Sequence, residues 1–467
     1  MSAKMLIHPR TRTRRHSQGQ RGAAALIVVM LLFFIISLVA AYTSRNLIFE
    51  QRTATNQYRS TQAMEAAEAG VEWAIAQLNA GRVNNSCAAS TTLTDETFRQ
   101  RYLTINSASG SVSRRNPVSP GDATSVTPRC VFDGSGGGAA WNCRCPQADA
   151  IPATLASPTG TGTNVAPAFV VRFAPLATTP PRPDLIQLDS NSCTRLGADC
   201  LNFNTSRGAT GDGVASVRVT LALRGALNRV PAAALTVMGG MASVPSGVVL
   251  AITNEDVASN GITVHAAGSV PSLGLTLSSA PGSAGASSIV SGDATLLPAA
   301  QTGSGFSATD LRFANFFGMR PDTYRSQPGM PTLDCSAGCN AGAVEDVMKL
   351  NRGRSIWLTG SNGTVTIDAD LGTADQPAML IVDGNLSLGS GATVRGLIYH
   401  RAKLDGSNTT WNVSGTGTVQ GAVVVEGGLT LAGSAATPAL VYNPAVLKAL
   451  RVSTGTFVRV PGSWRDF

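Results

Sequence analysis

Histidine is scarce in this chain: there are 4 in 467 residues, and after the first twenty only His265 and His400 remain. A histidine base needs a partner that orients it. Neither residue has one in its own stretch, and each sits in a strand-like run, so both read as half-exposed strand positions. The chain also lacks a G-x-S-x-G elbow, a P-loop, an H-E-x-x-H helix and paired C-x-x-C knuckles. These absences remove the commonest hydrolase, nucleotide and zinc chemistries. No catalytic, cofactor-binding or metal-ligating residue is assigned, and no enzyme activity is expected. Asp368-Ala369-Asp370-Leu371-Gly372 is faintly similar to a calcium loop, but the later Glu that would complete the ligands is missing. It reads as a turn between strands. Asp383 and Glu426 stand at matching places in a repeated pattern. Such a pair can act as the acid and base of a glycosidase, although acids so placed are more often a solvated edge.

Charge is unevenly distributed. The net charge of +8 suggests nucleic acid at first sight. Six of the 36 Lys and Arg (Lys4, Arg10, Arg12, Arg14, Arg15, Arg21) precede the first apolar run, without an acid among them. The remaining 30 face 28 acids, a net of +2. A near-neutral body gives no electrostatic footprint for nucleic acid.

Residues 22–41 carry no charge at all, and residues 1–78 contain no proline except Pro9. A bilayer span needs roughly 20 apolar residues, and a helix of that length satisfies its own backbone in lipid. The basic stretch before it stays on the cytoplasmic side, which places the rest of the chain across the membrane. The run is too long for the apolar segment of a cleaved secretory signal. Nor does a linker follow: Ala67, Val71, Ala74 and Leu78 repeat at helical spacing, flanked by Met64 and Ile75. The sequence predicts one helix on the order of 80 Å long, half membrane-spanning and half amphipathic, stopping near Gly81.

This order of features resembles the type IV pilin superfamily. Glu50-Gln51-Arg52, followed by Gln62-Ala63-Met64-Glu65-Ala66-Ala67-Glu68-Ala69-Gly70, is similar to the N-terminal pattern of PilX-type minor pilins. The resemblance implies that prepilin peptidase cuts after Gly22, leaving Ala23 as the mature terminus. Major pilins of the superfamily carry Glu at the fifth mature position, and Ile27 occupies it here. The resemblance also implies a minor pilin that takes part in pilus assembly at or near the tip, with roles in adhesion or motility. Its expected partners are other minor pilins, the major pilin and a large tip adhesin. It would be a single-pass inner-membrane protein, N-terminus cytoplasmic and head periplasmic, that later enters the extracellular pilus. Alternative readings are a type II secretion-like tip pseudopilin and a membrane-anchored surface carbohydrate binder or hydrolase. The helix that continues past the membrane favours a pilin, because an enzyme needs an anchor but not a packing stalk.

Eight cysteines, Cys87, Cys130, Cys143, Cys145, Cys193, Cys200, Cys335 and Cys339, all follow the helix. An even number in an exported body reads as disulfides. Cys193–Cys200 and Cys335–Cys339 are natural local loops. Cys87 and Cys130 are left to join Cys143 and Cys145, in an order that spacing does not decide. Cys143-Arg144-Cys145 lacks the spacing of a zinc knuckle.

The expected fold is α+β: a basic leader (1–22), a pilin-like helix (23–80, with 23–41 in the membrane), a head with disulfides and long loops (81–230), and a β-solenoid-like region (231–467) interrupted at 309–354. The head contains a flexible-looking run at 134–138, a proline cluster (Pro180, Pro181, Pro183), and strand patterns at 168–173 and 213–223. Its strands are expected to pack on the second half of the helix. Beyond 231, short apolar runs alternate with Gly turns, and 380–388, 397–404 and 423–431 nearly repeat one another. One such unit cannot bury its inward Leu, Ile and Val alone, so neighbours must stack. An antiparallel sandwich with Gly hairpins is the plainer alternative.

Overall fold

The computed structural model describes residues 21–115, 127–133, 140–146, 166–176, 182–194, 213–298, 307–327, 329–360, 363–389, 391–403 and 406–466. The leader up to Gln20, the 134–138 run, Pro180, Pro181 and Cys200 lie outside them. The chain divides into two compact units, Met1–Arg59 and Ser60–Phe467.

Helix α1 runs from Arg21 to Leu78 without a break. Its residues are mostly Ala, Leu, Ile, Met, Glu and Gln, and no proline interrupts the hydrogen-bond ladder. From Ala24 to Tyr58 its side chains are exposed all round. In the second unit one face is buried: Ala63, Ala67, Val71, Ala74 and Leu78 form a stripe at helical spacing.

That stripe packs on an antiparallel sheet whose order is Gly455–Arg459, Val214–Gly225, Leu185–Cys193, Ala168–Pro175, Arg129–Asp133, Ala140–Arg144. The shared core contains Phe169, Val171, Ile186, Leu188, Val217, Val219, Leu221 and Phe457. Gly70 sets the separation, because a Cβ there would stand 2.9 Å from the Phe169 ring and collide with the Ser190 hydroxyl. The Ser192 hydroxyl donates to Ala63 O across the same contact. Short helix α2, Phe98–Tyr102, starts with a capping box between Thr97 and Gln100 and closes one end of this core.

The 231–454 part is built differently. Among the described residues it forms an eleven-stranded sheet and a four-stranded sheet, and all pairing within them is parallel, so hairpins do not connect neighbours. From residue 355 to 442 the chain alternates between the two sheets, through Ser355–Thr359, Thr364–Ile367, Ala378–Val382, Asn385–Leu388, Thr393–His400, Thr409–Val413, Thr418–Val425, Leu429–Gly433 and Ala439–Tyr442. The facing surfaces are dry, with Leu380, Ile398, Val423, Leu386 and Trp411 among the buried residues. The three near-repeats occupy neighbouring strands, with Leu380, Ile398 and Val423 in register.

Two features of the connectivity do not follow from the sequence pattern. The interruption itself contributes a strand: Thr332–Asp334 forms one edge of the large sheet, while Ile289–Val290 ends the branch through Val264–Ala266 and Leu235–Val237. Helices α3 (Ala308–Phe317) and α4 (Pro321–Arg325) belong to the crossover between them, and α5 (Ala341–Leu350) connects Thr332–Asp334 to Ser355–Thr359. The chain also returns to its starting sheet. After helix α6, Pro444–Val452, strand Gly455–Arg459 pairs antiparallel with Val214–Gly225, and Gly455 faces Gly225. The parallel region is thus inserted between two strands that pair with each other, and a boundary at 231 running to 467 assigns the last strands to the wrong sheet.

The return is fastened to the end of α1. Asn79, 2% exposed, donates through Nδ2 to Phe457 O at 2.8 Å and accepts from Phe457 N at 2.8 Å. Asn79→Ala should leave both backbone groups buried without a partner and lower stability by about 2–4 kcal/mol, measured by denaturant unfolding of the purified chain. A loss under about 1 kcal/mol would show that this clasp is not needed.

Candidate functional site

The largest exposed apolar surface is the first unit of α1. Leu26 through Phe34, then Leu47, Ile48 and Phe49, are at least half exposed apart from Ile48 at 49%. Surface of this kind is unfavourable in water by about 25 cal/mol per Å², so its resting place is a membrane or a bundle of like helices. α1 is the one described helix long and apolar enough to cross a membrane. Its hydroxyls are satisfied locally: Thr43 donates to Val39 O at 2.9 Å and Thr55 to Gln51 O at 2.7 Å. Gly22 and Ala23 stand in its first turn. Ile27 is 58% exposed.

Three disulfides join described cysteines: Cys87–Cys145, Cys130–Cys143 and Cys335–Cys339. Cys193 is also disulfide-bonded, and Cys200 lies outside the described residues. The first bond sits beside Arg101, which is fully buried and donates to the carbonyls of Val83 and Cys145. Among the described residues no cluster of three His, Cys, Asp or Glu could hold a metal ion.

The two histidines differ. His265 Nε2 lies 2.7 Å from Asp293 Oδ2 at the surface. Hydrogen bonds from Thr295 and then His265 draw the Asp293 carboxyl down to about 2. His400 is not half-exposed: it is buried at 1%, and its Nε2–H donates to Gly384 O. It ends a strand whose neighbours on both sides cover it. Burial pulls its pKa down to about 4, with the nearby Lys403 adding to the effect.

Asp383 and Glu426 are not a solvated pair. Val382, His400 and Val425 are in register on three adjacent strands, so the next residues form a column in which Arg401 stands between the two acids. Glu426 accepts from Arg401 Nε at 2.7 Å and from Ala402 N at 2.9 Å. Asp383 accepts from Trp357 Nε1 at 2.7 Å. Burial pushes both carboxyls up, against the pull of Arg401 on Glu426 and of the Trp357 hydrogen bond on Asp383. Helix α3 roofs the column: Arg312 donates to Glu426 O at 2.9 Å, and Arg401 lies 5.1 Å over the Phe313 ring. The three near-repeats carried the signal for Arg401, since aligning them places it between the acids. Asp370, from the calcium-like stretch, accepts from Thr393 N at 2.8 Å, as a turn joining neighbouring strands would.

An exposed apolar helix, long enough to cross a membrane, that continues into the core of a β-rich, disulfide-bonded head defines an α+β architecture. Residues 21–72 match the PilX N-terminal family, so this segment is similar to the start of PilX-type proteins. No curated protein matches the chain. Among solved structures it is similar to the competence-associated pilin ComZ from Thermus thermophilus, at 10% identity and a TM-score of 0.21, with 88% of this chain and 98% of that one covered. A likeness that slight carries nothing into the reading below.

His400 provides a pH handle on the inserted region. Its folded pKa is depressed, so its contribution to stability is present above the ordinary value of 6.5 and lost as pH falls from there towards about 4. Acidification through that window should cost about 3 kcal/mol at this site. Unfolding midpoints measured from pH 7 to pH 4 should fall more steeply in the native chain than in His400→Gln. Identical slopes would show that the imidazole is not held neutral.

Proposed function

We propose that this protein is a minor pilin that primes type IV pilus assembly and stays at or near the filament tip. The observation that carries the proposal is the single helix α1, apolar and exposed over one part and built into the head core over the other. One helix then serves first as membrane anchor and later as packing element in the fibre. Prepilin peptidase removes the basic leader after Gly22, the N-terminus faces the cytoplasm, and the head lies in the periplasm until the subunit enters the extracellular fibre. Its role is structural.

The tip position is supported by Ile27. An ionised carboxylate in an apolar helix bundle is costly unless paired. In the resemblance drawn above, the fifth mature residue of a major pilin is that carboxylate, paired with the terminal ammonium of an adjoining subunit. Ile27 needs no such neighbour, which suits a subunit that begins a fibre. The inserted region supports the same placement, because a subunit of this size is easier to accommodate at an end than in a repeating shaft. We read its two parallel sheets as the faces of a β-solenoid, a rigid platform presented outward to other minor pilins, the major pilin or a tip adhesin.

Two measurements test this. Mass analysis of membrane-extracted protein should find Ala23 as the mature terminus, and Gly22→Leu should retain the leader; a mature chain starting at Met1, or beyond residue 41, would sink the pilin reading. Deletion of the gene should lower the number of fibres per cell without changing shaft composition. Immunogold label should sit at fibre ends, and an even spread along shafts would refute the tip placement.

A further inference from the structure

Two cavities share a wall in the second unit. One, of about 540 Å³, lies between the end of α5 and the turn 370–377; the other, of about 300 Å³, lies beside α2. Arg352, Gly353, Asp375 and Gln376 border both. The larger is within the range of ligand sites.

The charges around them are unequal in their pairing. Every described carboxylate at the rim has a partner. Glu96 is held by Arg115 at 2.7 Å and Glu345 by Lys349 at 2.7 Å. Asp375 accepts from the Ser107 hydroxyl at 3.2 Å, and Asp370 from Thr393 N at 2.8 Å. Among the rim cations, Arg115, Lys349 and Arg395 pair with these acids, and Arg352 and Arg99 do not. The Arg352 side chain is exposed and makes no hydrogen bond or ion pair with the described residues. Arg99, 3% exposed, donates only to carbonyls, those of Leu78 (2.9 Å), Gly353 (3.1 Å) and Gly455 (3.0 Å), and its Nη2 has no partner. Thr454, 1% exposed, lines the same cavity and its hydroxyl is also unpartnered. Burial, and then the nearby Arg354, draws Arg99 down to about 9.

We infer that the paired cavities are a docking site for an acidic peptide segment of another protein, with a carboxylate seated at Arg352. A guanidinium takes a carboxylate through two parallel N–H donors, and Arg352 has that fork free at the boundary of both lobes. Met348, Leu371 and Pro377 give the larger lobe an apolar floor for the segment's other side chains. Among the described residues no aromatic ring lines either lobe, so none of them offers the flat surface on which sugar rings or bases stack. The inference goes beyond the priming role and does not depend on it: a chain located along the shaft would keep the same site.

The test uses the full chain in detergent and a fluorescent, N-acetylated and C-amidated pentapeptide carrying two glutamates, read by anisotropy. The peptide should bind, its glutamine analogue about tenfold more weakly or worse, and Arg352→Ala should weaken the acidic peptide by about the same factor. Arg352→Gln serves if the alanine variant is poorly folded by circular dichroism. Arg352→Glu should reverse the preference towards a lysine version of the peptide. Equal binding of the glutamate and glutamine peptides would overturn the site, as would unchanged binding in both Arg352 variants. Displacement by inorganic phosphate at the peptide's own concentration would overturn the peptide assignment and leave a bare anion site. Loss of fibres on gene deletion is read separately, so failure here leaves the priming role standing.

Discussion

A helix can lie this close to a sheet only where its side chains stop short. The face that α1 turns to the sheet is small at Ala63, Ala67, Gly70 and Ala74, with Val71 and Leu78 as its larger buried residues. Small residues bury little area each, so the contact must gain through close packing rather than through size. The aromatic residues stand to the side, with Trp73 edge-on to Phe98 at 5.4 Å and tilted against Phe169 at 5.5 Å. The antiparallel sheet takes its position from this contact, and the loops beyond it are held by Cys87–Cys145, Cys130–Cys143 and the buried Arg101.

Buried guanidinium groups recur at the joints, and they bind carbonyls more than carboxylates. Arg99 gathers the end of α1, the turn before Ser355–Thr359 and the start of Gly455–Arg459. Arg101 gathers Val83 and Cys145, with Asp95 at 3.8 Å. A carbonyl offers a hydrogen bond without a full countercharge, so each such joint keeps a positive potential. Leaving one of these donors unpaired is costly in a low-dielectric interior. The strands of the two parallel sheets are nearly uncharged, whereas the antiparallel sheet holds an ion-pair network in which Asp189 meets Arg172 and Arg218.

How far the sequence could be read depended on the range of the forces that decide each element. α1 was legible from composition and period, because a helix is specified by neighbours three and four residues apart. The runs at 380, 397 and 423 were legible as repeats. The site was less so. Arg401 was visible only after the repeats were placed side by side, and His400 looked half-exposed until both neighbouring strands were known to cover it. The crossover through α3 and α4, and the pairing of Gly455–Arg459 with a strand some 230 residues earlier in the chain, rest on contacts that no local period encodes. The cavities at Arg352 likewise exist only once α5, α2 and the 370–377 turn have come together.

The point of insertion has a mechanical meaning. The parallel region enters after Gly225 and leaves before Gly455, and these two residues face each other at one end of a ladder that runs through Arg459 and Leu221. A pull applied to the inserted region arrives at that end, so the ladder would open one rung at a time instead of sliding as a whole. Peeling needs less force than shear. What resists it lies just inside the opening: the Arg99 fork on Gly455 O and the two-way Asn79 bond on Phe457. Those few hydrogen bonds make a tear-stop at the seam between the antiparallel head and what it carries.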